Sequence, residues 1–224
     1  KHEIQNTYVY PDLKKWKAHL ANPFSGGMDI FNKRFNSVLK NNRANITFTL
    51  EEKEMGRRVL NDVGIPKKKQ YICFHARDSA YLDSVLPTMD WSYHNYRDSS
   101  IHNFLPAVEK MTDFGYYGVR LGALVKERIN TSNPLIIDYA SNGMRTDFND
   151  IYIGSHCRFF ISSDSGISII PEIFRIPIVY VNKTSMNIIH TWALNGLFIF
   201  KKFFLQKERR YMNFLEIMNL KFGG

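Results

Sequence analysis

Cysteine is scarce in this chain: Cys73 and Cys157 are the only two in 224 residues. Two thiols so far apart exclude a disulfide-built scaffold. Each lies in an apolar run of strand type, so both read as small core hydrophobes in a reducing compartment. His and Cys nowhere cluster at ligand spacing, so no zinc site and no bound metal are expected. No run of about twenty apolar residues occurs, which excludes an expected membrane-crossing helix. The most hydrophobic stretch, Trp192 to Leu205, is interrupted by Asn195, Lys201 and Lys202. Long runs of one charge are missing too. The net charge of +9 and the pI of about 9.5 point to an anionic partner. Lys and Arg are nevertheless dispersed. The densest groups, Lys67-Lys68-Lys69 and Lys201-Lys202 with Lys207, Arg209 and Arg210, are too short for a nucleic-acid tail, so no nucleic acid is expected as a partner. No signal-peptide pattern opens the chain, and a cytoplasmic setting is expected. The start at Lys1 without Met and the end at Gly223-Gly224 suggest a piece of a longer protein.

What is present is the composition of a globular domain, 44% hydrophobic and 14% aromatic. Residues 1–48 lack a clean period and read as an irregular segment with short helices near Leu13–Leu20 and Phe31–Leu39, a link to a second domain. Residues 49–224 carry the sharper signals. Thr49 followed by Glu52 is a capping box, and Met55, Val59 and Leu60 put an apolar stripe on the helix behind it. Gly64 and Pro66 stop that helix. Tyr71–Phe74 is a buried strand running into His75-Ala76-Arg77-Asp78. Ser79 to Ser100 is long, polar and aromatic, the pattern of an ordered binding loop. A helix over Ile101–Asp113, a strand over Tyr116–Leu121, a strand over Leu135–Ile137 and a helix from Asp147 to about Ser155 follow. Arg158–Ile161 is a strand, Ser162–Gly166 a turn, Ile167–Phe174 a short helix and Ile178–Val181 another strand. Beyond Asn182 the chain reads as a helical tail, with Asn187–Leu194 and Glu208–Met218 helical and Ala193–Phe204 ambiguous. Strands alternating with helices predict an α/β fold: a Rossmann-like, mostly parallel sheet with helices on both faces.

In a parallel sheet all strand C-terminal ends share one edge, where ligands bind. The strand ends here deliver His75, Arg77, Arg120, Asp138 and the Ser163-Asp164-Ser165-Gly166 turn. Guanidiniums offer planar, charge-assisted donors to phosphate oxygens, and the N–H groups at a helix start add more. Each residue also has a plainer role. Arg77 fits an ion pair with Asp78 or another carboxylate, and Arg120 one with Asp138. Ser165 and Asp164 fit turn and cap positions. His75 suits a base, a pocket residue or a satisfied core histidine. Tyr93, Tyr96 and Tyr139 suit stacking on a base or sugar, or simply packing the loop.

The ordered series His75-Ala76-Arg77-Asp78, Tyr81-Leu82, Asn95-Tyr96-Arg97-Asp98, Val119-Arg120-Leu121-Gly122, Ile137-Asp138-Tyr139-Ala140, Asp147-Phe148-Asn149-Asp150, Cys157 and Ser163-Asp164-Ser165-Gly166 resembles a family of bacterial glycosyltransferases of surface-polysaccharide clusters. The resemblance covers roughly residues 49–200. It implies the donor-binding half of a GT-B fold, two Rossmann-like domains facing across a cleft. The His-x-Arg pattern is similar to that of fucosyltransferases, although Asp78 stands where they carry a second Arg. The Ser/Gly turn is similar to the donor-phosphate loop of heptosyltransferases and fucosyltransferases. The resemblance implies a hexosyl- or deoxyhexosyl-transferase that uses a nucleotide-diphosphate sugar without a metal or separate cofactor. Arg77 and His75 are the expected catalytic residues. Arg120, Asp138, Ser163, Asp164, Ser165, Gly166, Tyr96 and Arg97 are the expected substrate-binding ones. A glycan or lipid-linked acceptor and peripheral association with the inner face of the cytoplasmic membrane are the further expectations. A non-catalytic nucleotide- or glycan-binding module and a pyruvyl or phosphoryl transferase are the alternatives.

Overall fold

The computed structural model describes residues 7–9, 44, 46–184, 193 and 196–219. The expected helices at 13–20 and 31–39, and nearly all of that at 187–194, lie outside the described residues. Among those described, the first element is β1 (Thr7–Val9). α1 (Leu50–Val63) starts where the capping box predicts: the Thr49 N–H donates to Glu52 Oε2 at 2.7 Å and the Glu52 N–H to Thr49 Oγ1 at 3.2 Å. Gly64 ends it in the left-handed region, φ 102°, where a side chain would be strained. Then come β2 (Tyr71–His75), α2 (Ala80–Val85), α3 (Leu105–Asp113), β3 (Tyr117–Arg120), β4 (Ile136–Ile137) and α4 (Asp147–His156). β5 (Phe160–Ser162), α5 (Ile169–Ile173), β6 (Ile178–Lys183), β7 (Gly196–Phe200), β8 (Lys202–Leu205), β9 (Arg210–Tyr211) and α6 (Phe214–Asn219) complete the order.

The sheet at the centre has six strands in the order β4-β3-β2-β5-β6-β7. All its pairings are parallel. From β2 the chain winds outward through β3 to β4, then returns to the other side of β2 and winds through β5 and β6 to β7. The order reverses between β2 and β5, which makes that junction the topological switch point of a doubly wound sheet. Their register sets Cys73 against Phe160, Phe74 against Ile161 and His75 against Ser162.

β2 is buried on both faces, which explains its unbroken apolar run. Tyr71 and Cys73 enter one core layer with Val63, Ile153, Phe160 and Tyr180. Ile72 and Phe74 enter the other with Ile101, Phe104, Leu105 and Val108. Helices therefore cover both faces: α1 and α4 one, α3 the other. Each large apolar side chain so buried contributes about 1.5–3 kcal/mol. Contact is close enough that two glycines are required. A Cβ on Gly56 of α1 would lie 2.1 Å from the Tyr152 ring of α4, and one on Gly118 of β3 would lie 2.3 Å from Val108 Cγ1 of α3. Cys73 and Cys157 are both buried and free, as core hydrophobes should be.

Three expectations are corrected and one ambiguous stretch is resolved. The helix expected from Ile101 is a 3-10 turn, Ile101–Asn103, followed by α3, because Pro106 in the first turn of α3 has no N–H to bond back to the residues before it. Ile167–Phe174 is likewise a 3-10 turn, Gly166–Ser168, and then the five-residue α5. The ambiguous stretch before Phe204 forms β7 and β8, its aromatic and β-branched residues suiting a pleated surface. Glu208–Met218 is not one helix: a turn with Arg209 at φ 53° leads into β9, antiparallel to β8, and only Phe214 onward is helical. β1 pairs in parallel with β8, so part of the first 48 residues is hydrogen-bonded to the C-terminal strands. No helix among the described residues is long and apolar enough to cross a membrane.

Candidate functional site

A cleft of about 460 Å³ opens at the carboxyl edge of the sheet, lined by residues that follow β2, β3 and β5. Its position follows from topology: the chains leaving β2 and β5 diverge at the switch point and leave a crevice between them. The two exits stay joined through Ser163 before they part. Ser163 N–H donates to the His75 carbonyl at 3.1 Å, and the Arg77 N–H donates to Ser163 Oγ at 2.6 Å. Ser163 is fully buried, and its hydroxyl holds the Arg77 backbone in place.

Arg77 itself is 7% exposed and lines the cleft. Its Nη1 pairs with Asp98 and donates to the His94 carbonyl at 3.3 Å. Its Nη2 is buried with no partner. Of the two anticipated pairings, that with Asp78 does not form and that with another carboxylate, Asp98, does. Asp78 instead accepts from the Ala80 N–H and the Lys126 N–H, both at 2.9 Å, and so ties two loops at the cleft mouth. Burial, and next the neighbouring positive charge of Arg97, pull the Arg77 guanidinium down to about 10, so it stays cationic at neutral pH. Arg97 also lines the cleft, and its Nε too is buried without a partner. Two guanidiniums held together repel each other, and an anion between them relieves that repulsion.

The segment carrying Arg97 is ordered by contacts on its backbone. Lys201 Nζ donates to the Tyr96 carbonyl at 2.8 Å, and Asn182 Nδ2 to the Arg97 carbonyl at 3.2 Å and the Asp98 carbonyl at 3.3 Å. Lys201, counted with the basic C-terminal group in sequence, is thus inside the molecule at 5% exposure, and burial lowers it to about 8. The expectation of an ordered loop between Ser79 and Ser100 is met by α2 and a 3-10 stretch, Ser92–Arg97.

After β5, Ser165 and Gly166 line the cleft. Ser165 Oγ caps nothing and is buried without a partner. A Cβ on Gly166 would meet open space, so the protein itself does not demand glycine there. His75 lies between the two exits. Its Nδ1 is 2.9 Å from the Leu121 carbonyl, an arrangement that makes Nδ1 the donor and leaves Nε2 as an acceptor. Burial above all, and Arg120's charge, hold this imidazole down at about 4, so it is neutral at physiological pH.

The remaining expected residues lie elsewhere. Arg120 is 1% exposed; its Nη1 donates to the Glu127 carbonyl at 2.6 Å and faces both Asp138 oxygens at 3.4 Å. Asp138 also accepts from the Ile129 N–H at 2.9 Å and the Ser141 hydroxyl at 2.7 Å. This pair fastens the 123–129 loop over β3 and β4 rather than lining the cleft. Asp164 pairs with the fully buried Lys183 at 2.8 Å, and the part of Tyr96 that is held is its carbonyl. Neither lines the cleft. Conversely, Arg145 and Asp150 do line it and were not among the expected site residues. In sequence Arg145 reads as loop polarity and Asp150 as an acidic residue favoured in a first helical turn. No grouping of three or more potential metal ligands occurs among the described residues.

The fold and the switch-point cleft define an α/β protein of the doubly wound, Rossmann-like class. No protein-family model and no curated protein sequence matches the chain. Among solved structures it is similar to Thermosulfurimonas dismutans KpsC, a beta Kdo 2,4 transferase, with a TM-score of 0.35 and 9% identity over 84% of this chain and 67% of that one.

Proposed function

We propose that this chain is a glycosyltransferase whose switch-point cleft holds the diphosphate of a sugar-nucleotide donor, in a GT-B arrangement. One observation carries the reading: Arg77 Nη2, Arg97 Nε and Ser165 Oγ, three buried hydrogen-bonding atoms without partners, belong to residues lining one cleft. Buried polar atoms are nearly always satisfied, so a cluster of exceptions needs a missing partner. A diphosphate supplies oxygens for the two guanidiniums and for the hydroxyl, and its charge offsets their mutual repulsion. The sugar then lies toward His75, whose neutral Nε2 accepts from a hydroxyl. As the glycosidic bond to phosphate breaks, charge grows on the leaving diphosphate, and the preorganised Arg77 and Arg97 donors stabilise it. The expected setting is the cytoplasmic face of polysaccharide assembly, with a glycan or lipid-linked acceptor.

Nucleotide release from UDP-glucose, GDP-mannose and dTDP-glucose, with water or added glycans as acceptors, tests this. The wild type should release nucleotide from at least one donor, and Arg77→Met should lower that rate on the order of 10²–10³-fold. An Arg77→Met protein with the full wild-type rate would sink the proposal.

A further inference from the structure

α4 starts behind Thr146, whose Oγ1 accepts from the Asn149 N–H at 3.1 Å, and its first turn sets Asp150 in the cleft wall. Asp150 is 6% exposed. Its Oδ2 accepts from Arg145 Nε at 2.9 Å. Arg145 is fixed in turn, its Nη2 donating to Asp147 Oδ1 at 2.6 Å. Asp150 Oδ1 is buried with no partner at hydrogen-bond distance, although the Tyr139 hydroxyl approaches the carboxylate and favours its charged form. A carboxylate oxygen kept dry without a donor is costly, and an arriving hydroxyl is the donor it lacks. We propose that Asp150 is the general base that takes the proton of the acceptor hydroxyl, with Arg145 as the residue that positions it.

The assignment rests on the donor-site reading above. In the step, the acceptor O–H proton passes to Asp150 Oδ1 and the freed oxygen pair attacks the anomeric carbon. The bond from that carbon to the phosphate oxygen breaks, and its electron pair leaves with the nucleoside diphosphate. Asp150 then returns the proton to solvent. His75 is the weaker candidate. Its Nδ1 is committed to the Leu121 carbonyl, and its Nε2 is assigned above to a hydroxyl of the donor sugar. Burial pushes the Asp150 carboxyl above its usual range, against the opposing charge of Arg145. The titratable groups facing it are Arg145, Asp147, Tyr139 and Cys73.

The test pairs two readouts on Asp150→Asn, which keeps the shape and an acceptor for Arg145. Nucleotide release from the same three donors, with water as acceptor, should fall on the order of 10²-fold or more. Affinity for UDP, GDP and dTDP by calorimetry should stay at the wild-type value. The acid limb of the wild-type pH–rate profile should vanish in the residual activity. Should the Asn variant fail to fold, Asp150→Glu is read instead: its acid limb should persist but move. Wild-type release and profile in Asp150→Asn, or an unmoved limb in Asp150→Glu, overturns the assignment while the donor reading stands. Affinity lost in step with release makes Asp150 a donor contact and also overturns it. A wild type that neither binds nor releases nucleotide overturns the donor reading itself.

Discussion

Two strand-end clusters on the same sheet edge begin from the same sequence signal, an arginine closing a buried strand, and end in different states. At β3 and β4, Arg120 is enclosed by the Asp138 carboxylate and the Glu127 carbonyl, and Asp138 is further bonded to Ile129 and Ser141. At β2 and β5, Arg77 is likewise anchored through Nη1, but its unpartnered Nη2 belongs to a residue lining the cleft, where Arg97 adds a second cation, whereas the unpartnered Nε of Arg120 lies away from the cleft. The difference is topological. β3 and β4 are neighbours wound in the same direction, so a loop folds over their ends and closes the charge pair. β2 and β5 flank the reversal, so their exits diverge and leave donors open to a ligand. A buried arginine at a sheet edge is thus a structural clasp or a ligand contact according to which strands flank it.

Breaking the clasp should give the largest change in stability. Arg120→Met leaves Asp138 without its cation and should lower unfolding free energy by about 3 kcal/mol, with Asp138→Asn in the same chain recovering part of it. Urea denaturation measures both. Equal stability of Arg120→Met and wild type would mean the pair holds nothing. His75 joins the two clusters through the Leu121 carbonyl, and its effect depends on pH. It titrates at about 4 when folded against 6.5 ordinarily, so the unfolded chain binds more protons between those values. Stability from the neutral ring is full above pH 6.5 and is lost as pH falls toward 4, by up to about 3 kcal/mol. Unfolding curves at several pH values should show this slope flattened in His75→Gln; an unchanged slope would place the acid sensitivity elsewhere. The smallest expected change is in Ser165→Ala. Its hydroxyl has no protein partner, so stability should stay within about 0.5 kcal/mol. Affinity for a nucleoside diphosphate should drop roughly five- to tenfold, the worth of one hydrogen bond. Unchanged affinity would remove Ser165 from the ligand's partners.

What could be read in the sequence was mostly local. The Thr49–Glu52 capping box, the buried run Tyr71–Phe74 and the turn after Ser162 depend on neighbours a few residues apart, and each appears in the fold. The α/β class followed from alternation, and the convergence of strand ends on one edge from the parallel sheet. Sequence could not reveal which strand ends face each other across the reversal, because that is set by strand order. So Arg120 and Arg77 looked alike, and the partner of Arg77 proved to be Asp98 rather than the adjacent Asp78. Asp150 was hidden for the opposite reason. Its local environment explains it fully as a helix-start acid, and only the cleft shows it facing the same space as Arg77. The strand at Gly196–Phe200 stayed ambiguous in sequence because it is apolar throughout, and a short apolar run has no period to separate strand from helix.

The central claim is that Arg77 and Arg120, alike in sequence, differ in function. Calorimetric titration of wild type, Arg77→Met and Arg120→Met with UDP, GDP and dTDP at a temperature where all three are folded tests it most directly. The account predicts that the wild type binds at least one nucleotide, that Arg77→Met weakens it by roughly ten- to a hundredfold, the range of a charge-assisted hydrogen bond, and that Arg120→Met leaves it unchanged. Equal loss in both variants, or none in Arg77→Met, would contradict it.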